Sequence, residues 1–132
     1  MAFPARGMEL THILVVDDLA RARRWYEEVL GARPFREYGG DSAVLQFLGD
    51  WLLLVTGGGP TEDKPGLSMA APANPPVVDH SFTIRVPDCR GAYEALRERG
   101  AEFLTPPREQ GREIRCFFRD PDGHLFEISE YG

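Results

Sequence analysis

The second half of the chain repeats the pattern of the first, and this repeat restricts the possible folds more than any other feature. His12 and His80 each stand early in an apolar strand, 68 residues apart. The pair Gly31–Ala32 after the first predicted helix returns as Gly100–Ala101 after the second. Each half reads as a strand, a helix and three strands. Half a chain of this size cannot cover both faces of its sheet, so the sequence predicts two βαβββ modules that pack together or pair across a dimer.

Apolar periodicity and turn residues mark the elements of each half. In the first half, Gly31 ends a helix that begins at Leu19, and the predicted strands are Leu10–Val16, Arg33–Tyr38, Ala43–Leu48 and Trp51–Val55. In the second half, Gly100 ends a helix that opens at Pro87–Asp88, and the predicted strands are Asp79–Val86, Glu102–Thr105, Glu113–Arg119 and His124–Glu130.

These elements define one domain of the α+β class, built from two βαβββ modules. We expect a flexible N-terminal arm at residues 1–8 and a single domain at 9–132, made of modules 9–56 and 79–132. The joining loop, 57–78, is rich in proline and glycine. A loop of that length in a small domain is typical of a lid or a binding segment.

Composition excludes several classes of partner. The formal net charge is −6 and Lys64 is the only lysine, so the chain lacks the clustered basic residues that nucleic acid or an anionic membrane requires. No apolar run is long enough to cross a bilayer. Cys89 and Cys116 have no framework spacing and are expected to be free thiols. Met1–Gly7 lack the apolar core of a signal peptide, which favours a cytoplasmic location.

Three residues have the types and positions expected of a metal site. His12 and His80 occupy equivalent points of the repeat, and Glu127 interrupts an apolar strand, where an unpaired carboxylate is costly. Two imidazoles and one carboxylate form a facial ligand set for Fe(II), Mn(II), Ni(II) or Zn(II). The competing interpretation is that each histidine is a hydrogen-bonded core residue. His124 points away from Glu127 on an alternating strand, which favours a role in anchoring the turn before it.

The sequence resembles the vicinal oxygen chelate superfamily, which includes glyoxalase I, extradiol dioxygenases, fosfomycin-resistance thiol transferases and bleomycin-binding proteins. The resemblance covers everything after Gly7 and is carried by three stretches: Thr11–Asp18, Trp25–Gly31 and Phe117–Glu127. It implies that His12, His80 and Glu127 bind the metal, and thus that the chain is an enzyme, since the antibiotic-binding members usually lack these ligands.

Departures from the family pattern narrow the activity. Trp51–Val55 offers no residue for the fourth ligand and base of glyoxalase I. Phe117 stands where extradiol dioxygenases place a tyrosine, and Leu14 where the fosfomycin enzymes place a threonine. We therefore predict a divalent-metal-dependent enzyme, with an extradiol-dioxygenase-like reaction on a small substrate with neighbouring oxygens and Fe(II) as the favoured metal. The alternatives are a fosfomycin-type transferase, a glyoxalase-like lyase and a bleomycin-resistance-type ligand-binding protein.

The same resemblance implies a homodimer, with the modules forming a curved mixed sheet around a central metal cleft. It also implies that strand residues line the substrate side of this cleft. The expected cleft residues are Phe47, Trp51, Phe82, Arg115 and Phe117. Whether the metal ligands meet within one chain or across two chains stays open at this point.

Overall fold

The computed structural model describes residues 1–132 and contains two helices and nine strands. The first module comprises β1 (Thr11–Val16), α1 (Leu19–Glu28), β2 (Arg33–Tyr38), β3 (Ser42–Phe47) and β4 (Asp50–Thr56). The second comprises β5 (Phe82–Arg85), α2 (Cys89–Glu98), β6 (Glu102–Phe103), β7 (Arg108–Gln110), β8 (Glu113–Arg119) and β9 (Leu125–Tyr131). Neither helix is long and apolar enough to span a membrane.

The two modules form two mixed sheets with the same strand order. The first sheet runs β1-β4-β3-β2 and the second β5-β9-β8-β6, with β7 also paired to β8. In each sheet the first strand of the module lies parallel to its last strand, and the other pairs are antiparallel. The predicted βαβββ repeat and α+β class are therefore confirmed. The predicted boundaries between arm, modules and loop stay predictions.

The repeat extends to the way the helices begin. The carboxylate of Asp18 accepts a hydrogen bond from the backbone N–H of Arg21, and that of Asp88 accepts one from Gly91, both at 3.0 Å. An aspartate in this position pairs one of the backbone donors that a helix leaves unsatisfied at its N-terminus. Both helices then run for ten residues.

A single core joins the two modules. The buried cluster contains 18 residues drawn from both sheets and both helices. Tyr26 of α1 is fully buried, and the neighbouring Trp25 lies 6.2 Å from Phe118 and 6.4 Å from Phe126, measured between ring centroids. These aromatic contacts place α1 of the first module against the second sheet. The modules therefore share their apolar interior.

The turn between β8 and β9 ties the second module to the first. The carboxylate of Asp120 accepts hydrogen bonds from the Tyr26 hydroxyl and from the backbone N–H groups of Asp122 and His124. Asp122 accepts from the backbone N–H of Asp17 at 2.9 Å. Nε2 of His124 donates to the carbonyl oxygen of Val15 at 2.8 Å. The interpretation of His124 as a turn anchor agrees with this contact.

The long loop between the modules packs against that turn. The backbone N–H of Ala73 donates to the carbonyl of Asp122 at 2.9 Å, and Arg119 donates to the carbonyl of Pro75 at 3.5 Å. Gly123 has φ +97° and approaches the loop so closely that an added Cβ would lie 2.4 Å from the nitrogen of Asn74. The turn between β8 and β9 is therefore held against the joining loop as well as against the first module.

Candidate functional site

The two histidines proposed as metal ligands both lie beside one phenylalanine. The ring centroid of His12 is 5.3 Å from that of Phe82, and the ring centroid of His80 is 5.1 Å from it. Phe82 in turn stacks on Phe126 at 4.9 Å, on the core side of the second sheet. Within β1, His12 shares its strand face with the core residue Leu14. His12 therefore lies on the core side of the first sheet, while the exposed His80 approaches the same phenylalanine from the segment just before β5.

Glu127 projects from the opposite side of the second sheet. Its neighbours in β9, Phe126 and Ile128, are both core residues, so the alternation of the strand turns the carboxylate away from the core. The carboxylate accepts a hydrogen bond from the Thr83 hydroxyl on β5. The Arg115 guanidinium lies 3.9 Å from its other oxygen. The buried charge is thus paired by side chains of its own sheet.

The predicted metal site is not formed within one chain. No group of three His, Cys, Asp or Glu side chains is placed so that it could hold a metal ion. The physical reason is strand alternation, since His12 and Glu127 face opposite sides of their sheets. The alternation along each strand could have shown that the two side chains face opposite sides. His12 is two and four positions from the core residues Leu14 and Val16 and so shares their face. Glu127 is adjacent to the core residues Phe126 and Ile128 and so faces away from them.

The five predicted cleft residues divide among three places. Phe47 and Phe82 pack against the core and, with His12, line a cavity of about 90 Å³. That volume is below the roughly 300 Å³ at which pockets for drug-sized ligands begin. Arg115 and Phe117 lie on the same side of the second sheet as Glu127. Trp51 lies on the exposed side of the first sheet. The predicted common cleft is therefore not formed within one chain.

The exposed side of the first sheet is an apolar surface with aromatic residues from two strands. We call it the outer face of the first sheet. A concavity of about 510 Å³ on it is lined by nine residues: Glu9, Thr11, Ile13, Phe35, Tyr38, Ser42, Val44, Trp51 and Leu53. Ile13, Phe35 and Tyr38 remain 52%, 56% and 49% exposed. Large apolar side chains grouped in the open commonly mark an interaction surface.

Sequence reasoning named Trp51 as a cleft residue but missed its neighbours on this face. The available signal lay in β4, where Trp51 to Val55 is apolar at every position instead of every second one. A strand of that kind is apolar on both faces. Leu52 and Leu54 supply the core, so Trp51 and Leu53 must form a second apolar surface. Phe35 joins them from β2, with its ring centroid 5.0 Å from that of Trp51.

The corresponding side of the second sheet is polar, and its charges pair with one another. Glu113 makes ion pairs with Arg85 at 3.3 Å and with Arg115 at 3.2 Å, and it accepts a hydrogen bond from Ser129. The Ser129 hydroxyl, together with the two arginines, lowers the pKa of Glu113. The charged side chains of this face are therefore paired with one another, whereas the outer face of the first sheet is apolar.

Comparison with known families identifies the fold. Residues 9–128 match the sequence model of the Glyoxalase/Bleomycin resistance protein/Dioxygenase superfamily. The chain belongs to this superfamily. The resemblance drawn from the motifs is thus confirmed, and it extends over both modules. Members of such a widely shared fold carry different activities on one scaffold, so the activity has to be argued from this chain's own side chains.

Solved structures of the superfamily share the fold at low sequence identity. A glyoxalase/bleomycin resistance protein/dioxygenase from Alicyclobacillus acidocaldarius has a TM-score of 0.71 and 20% identity, covering 98% of this chain and 95% of that one. TnmS3, an antibiotic binding protein from Streptomyces sp. CB03234, has a TM-score of 0.71 and 19% identity, covering 97% and 98%.

A mutant of the fosfomycin resistance protein FosX from Listeria monocytogenes, complexed with Mn(II) and a dihydroxypropylphosphonic acid, has a TM-score of 0.66 and 18% identity, covering 94% of this chain and 89% of that one. The superfamily fold thus occurs in proteins described as antibiotic-binding and in a protein crystallised with a divalent metal. The donor set of this chain does not fit the metal within one chain.

Proposed function

We propose that the chain is a non-catalytic binding protein for a small organic molecule with an apolar ring system. The ligand rests on the outer face of the first sheet, against Phe35 and Trp51. The observation that carries the proposal is the open apolar concavity on that face, which at about 510 Å³ falls within the range of small-molecule sites. The placement of His12 and Glu127 on opposite sides of their sheets supports binding over metal catalysis.

Replacing Ile13 by aspartate tests the site. Ile13 stands in the concavity, so a carboxylate there would be desolvated by any apolar ligand, and we expect affinity to fall at least about tenfold. The protein should still fold, because the Ile13 side chain is half exposed and lies outside the core. The measurement is a calorimetric titration with 2-naphthylmethanol, a neutral bicyclic probe.

Leu104→Asp is the matched control for this substitution. Leu104 is 55% exposed, close to the 52% of Ile13, and it lies in the second module. The control should bind the probe as the wild type does. An equal loss of affinity in both variants, or no binding by the wild-type protein, would contradict the proposed site.

A metal-dependent enzyme of the extradiol dioxygenase or fosfomycin-transferase type is the alternative. It is favoured by the Mn(II) complex of the FosX relative. For this chain to be such an enzyme, His12, His80 and Glu127 would have to meet in a site shared by two chains. The homodimer itself stays a prediction, as does the cytoplasmic location. β1 and β5 each lie at the end of a sheet with one unpaired edge, which gives a second copy a place to pair.

Metal analysis decides between the two functions. After loading with Fe(II) or Mn(II) and desalting under anaerobic conditions, we expect no stoichiometric metal in the wild-type protein, because its potential ligands project from opposite sides of the sheets. Glu127→Gln and the control Glu109→Gln should then give the same background. One equivalent of metal that Glu127→Gln abolishes and Glu109→Gln retains would reject the binding-protein proposal and favour the metalloenzyme.

A further inference from the structure

We infer that the ligand carries a cationic nitrogen, as an amine or guanidine, and that Glu9 binds this charge beside Trp51. The inference rests on the proposed function and specifies the chemistry of its ligand. It follows from three features of one corner of the outer face: an unpaired carboxylate, two aromatic rings at a steep angle, and a cation of the chain itself over one of those rings.

Glu9 is the charged residue of the concavity and has no ionic partner. Its carboxylate accepts a hydrogen bond from the indole N–H of Trp51 at 2.6 Å, and this is its one side-chain hydrogen bond. The glutamates on the outer side of the second sheet are different, since Glu113 and Glu127 are both matched by arginines. The indole N–H carries no charge, so a ligand cation would give Glu9 the ionic partner that it lacks.

The aromatic rings beside Glu9 are arranged to receive a cation. The rings of Phe35 and Trp51 meet edge to face at 73°, and both line the concavity. The face of an aromatic ring is electron-rich and attracts an ammonium or guanidinium group, with tryptophan the strongest partner. A cation bound in the concavity would thus be attracted both by the Glu9 carboxylate and by an aromatic ring.

The chain already contains a cation in this kind of contact. The guanidinium carbon of Arg36 lies 5.6 Å from the ring centroid of Phe35 and 6.0 Å from that of Tyr38. These distances fall within the range of cation–π attraction. The Trp51 ring has no such partner within the chain, although it is the one next to Glu9. The net charge of −6 adds a long-range field that draws cations toward the protein.

A pair of probes that differ in charge alone tests the inference. At neutral pH, 2-naphthylmethylamine is a cation and 2-naphthylmethanol is neutral, while the ring system is the same. In calorimetric titrations at low salt we expect the amine to bind at least about fivefold more tightly than the alcohol, as a carboxylate and a ring face together imply. In Glu9→Gln the preference should fall to less than about twofold.

Glu9→Gln keeps an oxygen that can accept from the Trp51 indole, so it removes charge without removing the hydrogen bond. Glu62→Gln is the control, because it removes the same charge from the exposed loop and should leave the preference intact. Equal binding of both probes by the wild type, or an unchanged preference in Glu9→Gln, would overturn the inference while the proposed function stands.

Failure of the proposed function gives a different result. If neither probe binds, both the proposed function and the inference are rejected. In that case, light scattering on wild type and Phe35→Asp identifies the competing occupant. A dimer that Phe35→Asp converts to monomer would show that a second copy of the chain covers the outer face of the first sheet.

Discussion

Asp120→Ala is expected to lower the free energy of unfolding by about 3–5 kcal/mol, because each buried donor that loses its partner costs about 1–3 kcal/mol. Asp120 is only 4% exposed and accepts hydrogen bonds from three donors, the Tyr26 hydroxyl and the backbone N–H groups of Asp122 and His124. Alanine would leave all three donors in the interior without this partner. The measurement is urea unfolding followed by far-ultraviolet circular dichroism.

Two further variants separate the contributions in that experiment. Tyr26→Phe removes one donor and should cost about 1–3 kcal/mol. Asp79→Ala replaces an exposed aspartate and should stay within about 0.5 kcal/mol of wild type. A loss below about 1 kcal/mol for Asp120→Ala would mean that the turn contributes little to holding the modules together.

Stability is expected to fall by up to about 4 kcal/mol as the pH rises from 9 to 12, the linkage of a three-unit difference in one pKa. Burial raises the pKa of the Cys116 thiol to about 12 from its ordinary value of 9.0. Above pH 9 the unfolded chain therefore loses this proton while the folded chain keeps it. The contribution is fully present below pH 9 and is lost as the pH approaches 12.

Cys116→Ala isolates this contribution. Its free energy of unfolding should decline less than that of the wild type between pH 9 and 12, measured by urea titrations in a phosphine reductant. The pKa of Tyr26 is also raised by burial, so some decline above pH 10 should remain in the variant. Cys89→Ala is the comparison, because burial raises the pKa of Cys89 as well. Parallel curves for wild type and Cys116→Ala would contradict the assignment.

The fold was predictable because its signals are local and occur twice. Asp18 and Asp88 cap the two helices as their positions before apolar periodic segments indicate. The prediction failed where pairing, not composition, defines a strand. β7 is three exposed polar residues that are ordered only by their pairing with β8. β5 begins at Phe82, not at Asp79, because the preceding residues have no partner in β9.

The site was less predictable because it depends on which side of a sheet each residue faces. His12 matches the family's ligand by type and approximate position, but its side chain lies on the face of β1 that packs against the core. Glu9 carries no signal of its own, since its importance comes from the Trp51 indole, 42 residues away in sequence. Phe35 and Trp51 likewise become neighbours only through the pairing of β2, β3 and β4.

The separation of the core from the outer face of the first sheet has an evolutionary consequence. Leu52 and Leu54 stabilise the fold from one side of β4, while Trp51 and Leu53 are presented on the other. Substitutions at exposed positions usually change stability by no more than about 0.5 kcal/mol. A lineage can therefore exchange the residues that contact a ligand one at a time without risking the fold. New ligand preferences become reachable through single mutations, each of which leaves a folded protein for selection to act on.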